Sequence, residues 1–473
     1  MIAFDRWTRR RAAFLSAALL ALFAAGCDSP DQDERSDASA ALAETAEAGA
    51  DLPLGDPAKG DVLVLGGGLK GLATAKASDI EFFDASKRAF ARSGKIITNR
   101  IAREAVVLDE GRLDGQALLT GGLAGEGVRK KSDLTIKGKA LDTAEAFDPD
   151  KGKSAKLPAK LSVPRFGHTE TLLKDGRVLI AGGFDSSGKP QFTTELFDPA
   201  TRTFKEGGGL KQSRALHSAT LLPDGRVLIA GGVSTELGDT NGSGEVFDPT
   251  TNETIFTTNF MQSPNGPIKL AGHSATLIEG CSCDDDGKVL IAGGFEGFRF
   301  SDRALETAST VVTLYDPATN SFSSTGLPQM TDDRMLHTAT ALPNGKILIA
   351  GGIYGQGFFA GKKITGVFGG VLASAEVYDI AKREIACVGG KNGKRCSDAM
   401  ANSRVTHGAL LIEAGPLDGK VLLVGGAGGK ARTTGGKGAP LNTAEIYDPK
   451  KNEFKAAGSM KAARIFPALA LAP

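Results

Sequence analysis

From residue 60 onward the chain repeats one pattern: a short apolar run that stops at a glycine pair. It occurs as "GDVLVLGG" (60–67), "GQALLTGG" (115–122), "GRVLIAGG" (176–183 and again 225–232), "GKVLIAGG" (287–294), "GKILIAGG" (345–352) and "GKVLLVGG" (419–426). Four consecutive apolar residues between glycines suit a strand buried on both faces, and are too few for a buried helix. Ahead of these runs lie strings with small alternating side chains, "RFGHTETLL" (165–173), "RALHSATLL" (214–222), "LAGHSATLI" (270–278), "RMLHTATAL" (334–342) and "RVTHGALLI" (404–412). Several lead into Asp175-Gly176, Asp224-Gly225, Asn344-Gly345 or Asp418-Gly419, which predicts a two-residue hairpin turn. Behind the glycines come a connection of variable length and a third strand, "EFFD", "EAFD", "ELFD", "EVFD", "TLYD", "EVYD" or "EIYD". A turn follows, mostly with Pro, and then a fourth strand carrying Phe90, Phe204, Phe322 or Phe454 in most copies. The unit is therefore four antiparallel strands, and we number the units one to seven by their glycine strands.

This periodicity decides the meaning of "DVLVLGGGLKGLATAKASDIEFFD". Gly66, Gly68 and Gly71 have the G-x-G-x-x-G spacing and Asp84 stands near the place of a ribose-binding acid. A dinucleotide site needs one glycine turn entering one helix, whereas this glycine strand recurs at intervals of 55, 61, 49, 62, 58 and 74 residues. A nucleotide ligand is excluded on that ground. Lys and Arg number 56 against 55 Asp and Glu, so no global field points to nucleic acid. The 62 glycines and the scarcity of aromatics agree with many short strands and turns.

The double glycine, the aromatic-Asp-Pro after it, the later aromatic and the preceding Arg-x-x-His resemble the kelch repeat, over residues 60–473. Phe stands in the fourth strand where kelch repeats usually carry Trp. The resemblance implies an all-β, seven-bladed kelch-like β-propeller with four-stranded blades. The final segment "MKAARIFPALALAP" (460–473) is an inner strand lacking a glycine strand, and the first glycine strand lacks an inner strand. The C-terminal strand is thus expected to complete blade one and close the ring.

His168, His217, His273, His337 and His407 all occupy one position of the repeat, which marks them as structural and not as ligands of a metal. Arg103, Arg165, Arg214, Arg334, Arg404 and Arg464 open inner strands, while Glu81, Glu145, Glu195, Glu245, Glu376 and Glu445 precede the aromatic-Asp. Unit five lacks both, with Leu270 and Thr313 in their places, so the two groups are expected to pair within a unit, Arg464 meeting Glu81. Cys387 and Cys396 are expected to form a disulfide; for Cys281 and Cys283 a strained local disulfide and two free thiols both remain open. No G-x-S-x-G or H-E-x-x-H is present. Tyr315, Tyr378 and Tyr447 are repeat aromatics, leaving Tyr354 as the one tyrosine for a copper-radical site of the kind in the related galactose oxidase. "DTNGSGE" (239–245) resembles half a calcium loop but has Thr250 at its twelfth position. No cofactor and no catalytic residue is assigned. Since some kelch-like propellers are sugar epimerases, a carbohydrate-active enzyme is the alternative to a binding module.

Residues 1–26 read as a signal peptide: Arg6, Arg9, Arg10 and Arg11 precede the apolar stretch "AAFLSAALLALFAA" (12–25). "LFAAGC" resembles the lipobox of bacterial lipoproteins, which implies acylation of Cys27. Residues 27–55 are acidic and lack large apolar side chains, a tether spanning roughly 30 Å. Residues 56–473 form the propeller. A monomer in the cell envelope, lipid-anchored and facing the periplasm or cell surface, is the expected state.

The connections between the glycine strand and the aromatic-Asp strand leave each unit in one direction. Those of units six, seven, one and two carry +2, +3, +1 and +2, together +8, against −3 for units three to five. The candidate binding residues are Arg129, Lys130, Lys131, Lys362, Lys363, Lys430, Arg432 and Lys437, with Tyr354, Phe358 and Phe359. The expected partner is a protein or an anionic envelope polymer.

Overall fold

The computed structural model describes residues 60–67, 79–98, 100–101, 105–130, 133–235, 239–299, 304–305, 308–360, 363–430 and 439–472. Among them the helices are two single 3-10 turns, Gly111–Leu113 and Gly415–Leu417. The rest is sheet and turn, in a propeller-like arrangement. Unit three shows the pattern from the inside outward: Thr169–Leu172, Val178–Ala181, Thr194–Asp198 and Thr203–Glu206, each antiparallel to the next. Units four, five and six repeat it around Val227–Ala230, Val289–Ala292 and Lys346–Ala350. Unit seven repeats it around Lys420–Val424. The sheet of unit two, around Ala117–Thr120, is joined to that of unit one by a single parallel pair, Lys95 with Lys153. In unit one the innermost strand comes from the other end of the chain: Ala468–Leu471 pairs with Val62–Leu65, Val64 opposite Leu469.

The glycine strands lie second in each sheet and are fully buried because the neighbouring sheets cover both faces. Each inter-sheet core is accordingly shared by two successive units: Leu179 and Leu196 of unit three pack with Val227 and Phe247 of unit four. Val62 and Phe83 of unit one likewise pack with Leu422 and Ile446 of unit seven. The third-strand aromatic meets the fourth-strand Phe in Phe197–Phe204 and Tyr447–Phe454, with ring centroids 5.0 Å apart in both.

The glycine pair has a steric reason. Gly183 N–H donates to the Arg214 carbonyl of the next unit (2.7 Å), and a Cβ on Gly182, at φ +59°, would overlap that same oxygen. A second inter-unit seam runs around the axis, two residues after the inner-strand arginine or, in unit five, after Leu270. Leu216 N–H donates to Gly167, Gly272 to Leu216, Leu336 to Gly272, Thr406 to Leu336 and Phe466 to Thr406. All six residues sit at positive φ, four of them not glycine. Backbone strain of about 1–3 kcal/mol per non-glycine residue is retained there because the collar fixes them on both sides.

The Asp-Gly turns differ from the sequence expectation: in unit seven Asp418-Gly419 ends a longer connection, between Ile412 and its partner Lys420, that contains the 3-10 turn Gly415–Leu417, and unit three has a shorter one. Leu173 N–H donates to Arg177 and Gly176 N–H to Leu173, which makes a three-residue loop of Lys174, Asp175 and Gly176. Only Gly176 has positive φ (+77°), so a type I turn with an αL glycine replaces the two-residue turn, which needs positive φ at two residues.

Candidate functional site

The buried arginines and glutamates are consumed by the scaffold. Arg165–Glu195, Arg214–Glu245 and Arg334–Glu376 each close to 2.8 Å, Arg404–Glu445 to 2.6 Å and Arg464–Glu81 to 3.0 Å, all almost wholly buried. The sixth pair is Arg100 with Glu145, at 2.9 Å. The sequence puts Arg103 in that place; Arg103 lies outside the described residues, three positions after Arg100, where units three to seven carry histidine and unit one carries Pro467. The carboxylates also cap backbone: Glu245 accepts from Lys211 N–H (2.6 Å) and Gln212 N–H (3.1 Å), Glu81 from Lys461 N–H (2.7 Å) and Ala462 N–H (3.2 Å). Leu270 and Thr313 of unit five are fully buried.

The histidines stitch successive units. His217 Nε2 meets Thr169 Oγ1 at 3.0 Å, His273 meets Ser218 at 2.9 Å, His337 meets Ser274 at 2.9 Å and His407 meets Thr338 at 2.8 Å. His168 reaches Thr120 at 3.3 Å. Burial, helped by Arg404, holds the His407 pKa well below the ordinary value, so its ring is neutral. Both cysteine pairs are disulfides, Cys387–Cys396 and the local Cys281–Cys283. Glu376 lies beside Cys387 and Cys396, but sulfurs already joined to each other offer no thiolate to a metal.

On the glycine-pair side the long connections are β-hairpins, where the sequence suggested loops. Leu123–Lys130 pairs with Asp133–Asp148, Ile353–Ala360 with Lys363–Val371, and Ala427–Lys430 with Ala439–Asp448. Unit five adds Ala304–Leu305 to the edge of the unit-six hairpin. Arg129, Lys130, Phe358, Phe359, Lys363 and Lys430 are strand residues of these hairpins. Lys131, Lys362, Arg432 and Lys437 lie outside the described residues, as does Cys27. Tyr354 stands at the root of the unit-six hairpin. The Arg395 guanidinium covers its ring at 4.0 Å while pairing with Asp333 at 2.9 Å. Arg395 is delivered there by the short hairpin that Cys387–Cys396 closes. Sequence reasoning missed this clasp, since nothing local relates residue 395 to residue 354.

A second feature lies on the axis. A cavity of about 400 Å³ runs between the inner strands, lined among others by Leu336, Thr406 and Phe466 of the collar, by His337 and His407, and by Glu170. Glu170 occupies the position opposite the third residue of the glycine strand, Ile180. The same position holds Ala219, Ala275, Ala339, Ala409 and Leu469 in other units. Glu170 Oε1 accepts from Thr120 Oγ1 (2.6 Å) and Thr120 N–H (3.0 Å). The signal was present in "RFGHTETLL", the one quoted inner strand with an acid at that place.

Comparison with known proteins agrees with this geometry. A family model described as Kelch motif matches residues 413–461, which span the glycine, aromatic-Asp and fourth strands of unit seven. No curated protein matches. Among solved structures, that of YjhT is 15% identical, covering 71% of this chain and 96% of its own, with a TM-score of 0.48. A fungal alcohol oxidase of the AA5 family, solved in complex with copper, is 18% identical, covering 78% of this chain and 68% of its own, with a TM-score of 0.49. At these scores neither likeness bears on activity. The chain is all-β with a propeller-like arrangement of its sheets, and its residues 413–461 match the Kelch motif.

Proposed function

We propose that the chain is a seven-bladed kelch-like propeller that acts as a binding module, tethered through an acylated Cys27 to a membrane of the cell envelope. The inner strands of units three, four, five, six, seven, one and two contact one another in that order and return to unit three, which supports the blade count and the closure by Ala468–Leu471. The docking surface is the glycine-pair side of units six, seven, one and two, and the partner is anionic, a polysaccharide or an acidic protein surface.

The observation that carries this reading is the set of paired hairpins rising from units two, six and seven, the units whose connections hold most of the positive charge. A hairpin presents its residues from a hydrogen-bonded frame, so less ordering entropy is lost on binding than from a free loop. Clustered cations attract a polyanion by a field that salt screens, with a Debye length of about 8 Å at physiological ionic strength.

The test is binding to heparin, as a model polyanion, at low and high ionic strength, for the wild type and for Lys430→Glu/Arg432→Glu/Lys437→Glu. Binding should weaken with salt and fall in the triple variant; indifference to both refutes the surface. In parallel, Cys27→Ser should move the protein from the membrane to the soluble fraction, since a lipid chain contributes about 0.8 kcal/mol per buried CH₂ and the acidic tether has no apolar surface to replace it. Unchanged fractionation refutes the anchor.

A further inference from the structure

We propose that Cys281–Cys283 is a thiol–disulfide exchange site, which takes two electrons from a dithiol carried on a positively charged protein segment. It lies in the turn between the first two strands of unit five, at the end of the glycine strand away from the hairpins, and is independent of the hairpin surface.

The frame does not need this turn. Units three and four join the same strands with three residues, 174–176 and 223–225, closed by Leu173 N–H on Arg177 and Leu222 N–H on Arg226. Unit five uses nine, 279–287, between Ile278 and Lys288. Nor does the fold gain much from its disulfide: the bond joins residues two apart, against nine for Cys387–Cys396, and a shorter closed loop removes less entropy from the unfolded chain. The two bonds also differ in access. Cys281 and Cys283 are half-buried on either side of the exposed Ser282, whereas Cys396 is buried. Exposed disulfides are the ones open to attack by a thiolate.

The turn is held without the sulfurs. Asp285, 2% exposed, accepts from Arg383 Nε (2.9 Å) and Nη2 (2.7 Å) of unit six and from Lys288 Nζ (3.1 Å). Asp286 accepts from Cys281 N–H and donates its own N–H to the Cys283 carbonyl, both at 3.2 Å. The backbone at both cysteines is thereby fixed, so the two thiols stay adjacent when the bond opens, as exchange requires. A partner thiolate attacks one of the two sulfurs, the Cys281–Cys283 bond breaks, and the sulfur set free leaves as a thiolate and takes up a proton. The partner's second thiolate then attacks the partner's own sulfur in the mixed disulfide, which closes the partner's disulfide and releases the other cysteine, protonated in turn. Two electrons and two protons have then passed from the partner to the pair. Glu279, Asp284 and Asp286 are exposed around the bond; their field repels anionic thiols and favours a dithiol flanked by lysine or arginine.

The experiment treats the full chain, as Cys27→Ser, with the capped peptides Lys-Cys-Gly-Gly-Cys-Lys and Glu-Cys-Gly-Gly-Cys-Glu, and follows alkylation of each cysteine by mass spectrometry. The expected result is that Cys281 and Cys283 open roughly tenfold or more faster than Cys387 and Cys396, with one peptide disulfide formed for each pair opened. The lysine peptide, compared per thiolate, should react about threefold or more faster than the glutamate peptide at low ionic strength, and the gap should close with added salt. Cys281→Ser/Cys283→Ser should form no peptide disulfide over the same time, and its melting temperature should fall less than that of Cys387→Ser/Cys396→Ser. Equal opening of the two disulfides, Cys387–Cys396 opening first, equal rates for the two peptides at low salt, or a melting temperature that falls as far in Cys281→Ser/Cys283→Ser as in Cys387→Ser/Cys396→Ser would each overturn the inference.

Discussion

Unit five supplies the control for a test of the buried ion pairs. In unit four Glu245 satisfies three groups at once: the Arg214 guanidinium (2.8 Å), Lys211 N–H and Gln212 N–H. Replacing Glu245 by Thr leaves a fully buried guanidinium without its anion, a loss of about 3–5 kcal/mol. It also orphans two amides at about 1–3 kcal/mol each. The sum rivals the whole stability of a typical domain, about 5–15 kcal/mol. Arg214→Leu alone strands the carboxylate beside its two amides and removes a donor from the Gly231 and Ser243 carbonyls, again about 3–5 kcal/mol.

The double change, Arg214→Leu/Glu245→Thr, copies Leu270 and Thr313 and removes both buried charges. It should cost less than the two single changes added together, by about 0.5–3 kcal/mol of coupling. It should still cost something, because Lys211 and Gln212 keep unsatisfied N–H groups. Unit five shows how that residue of cost is avoided: the counterpart of Lys211 is Pro267, which has no N–H, and Ile268 N–H donates to Met261. Adding Lys211→Pro to the double variant should therefore recover about 1–3 kcal/mol. Urea unfolding of the five proteins, followed by far-ultraviolet circular dichroism, reads the cycle. A double variant whose loss equals the sum of the single losses, or a Lys211→Pro that lowers stability further, refutes the reasoning.

Three other outcomes follow from the same contacts. Deleting residues 461–473 removes the ladder on Val62–Leu65 and every donor to Glu81 named above, and should lower the melting temperature far more than deleting residues 31–43 of the tether; equal melting temperatures would rule out closure by this strand. His407 is neutral when folded because its pKa is depressed, whereas the unfolded chain takes up the proton near 6.5; stability should therefore fall as pH drops below 6.5, by up to about 1.4 kcal/mol per pH unit, and His407→Asn should show a shallower acid slope in pH-dependent urea titrations. Cys387→Ser/Cys396→Ser should lose about 2–3 kcal/mol by loop entropy and release Arg395 from Tyr354, detectable as increased quenching of tyrosine fluorescence by iodide.

What the sequence disclosed, and what it concealed, divides along a physical line. Glycine strands, ion pairs and histidine stitches are set by contacts that most units repeat, so the imperfect copies reveal each one; Leu270 with Thr313 exposes a pairing by its joint absence, and the incomplete units at the two ends of the repeat disclose the terminal exchange. Features owned by one unit had no second copy to correct a reading. "RIAREAVVL" holds two arginines, and only the contact with Glu145 and the Gly67 N–H on the Arg100 carbonyl identify Arg100 as the one at the buried position. The hairpins of units two and six are rich in Gly and Lys, residues of poor strand propensity; their order comes from a long antiparallel register, which composition does not encode. The turn chemistry was recognised but its length was not, because Asp-Gly serves both a two-residue turn and a type I turn with an αL glycine. The axial cavity is the extreme case. It exists only where inner strands from the whole chain converge, so no local periodicity announces it, and its one trace in the sequence is a glutamate standing where the repeat asks for alanine. Departures from the repeat are therefore to be read against the contacts they make: this glutamate accepts from Thr120 N–H and Oγ1, and so supplies an acceptor that the short inner strand of unit two, Val106–Val107, does not provide.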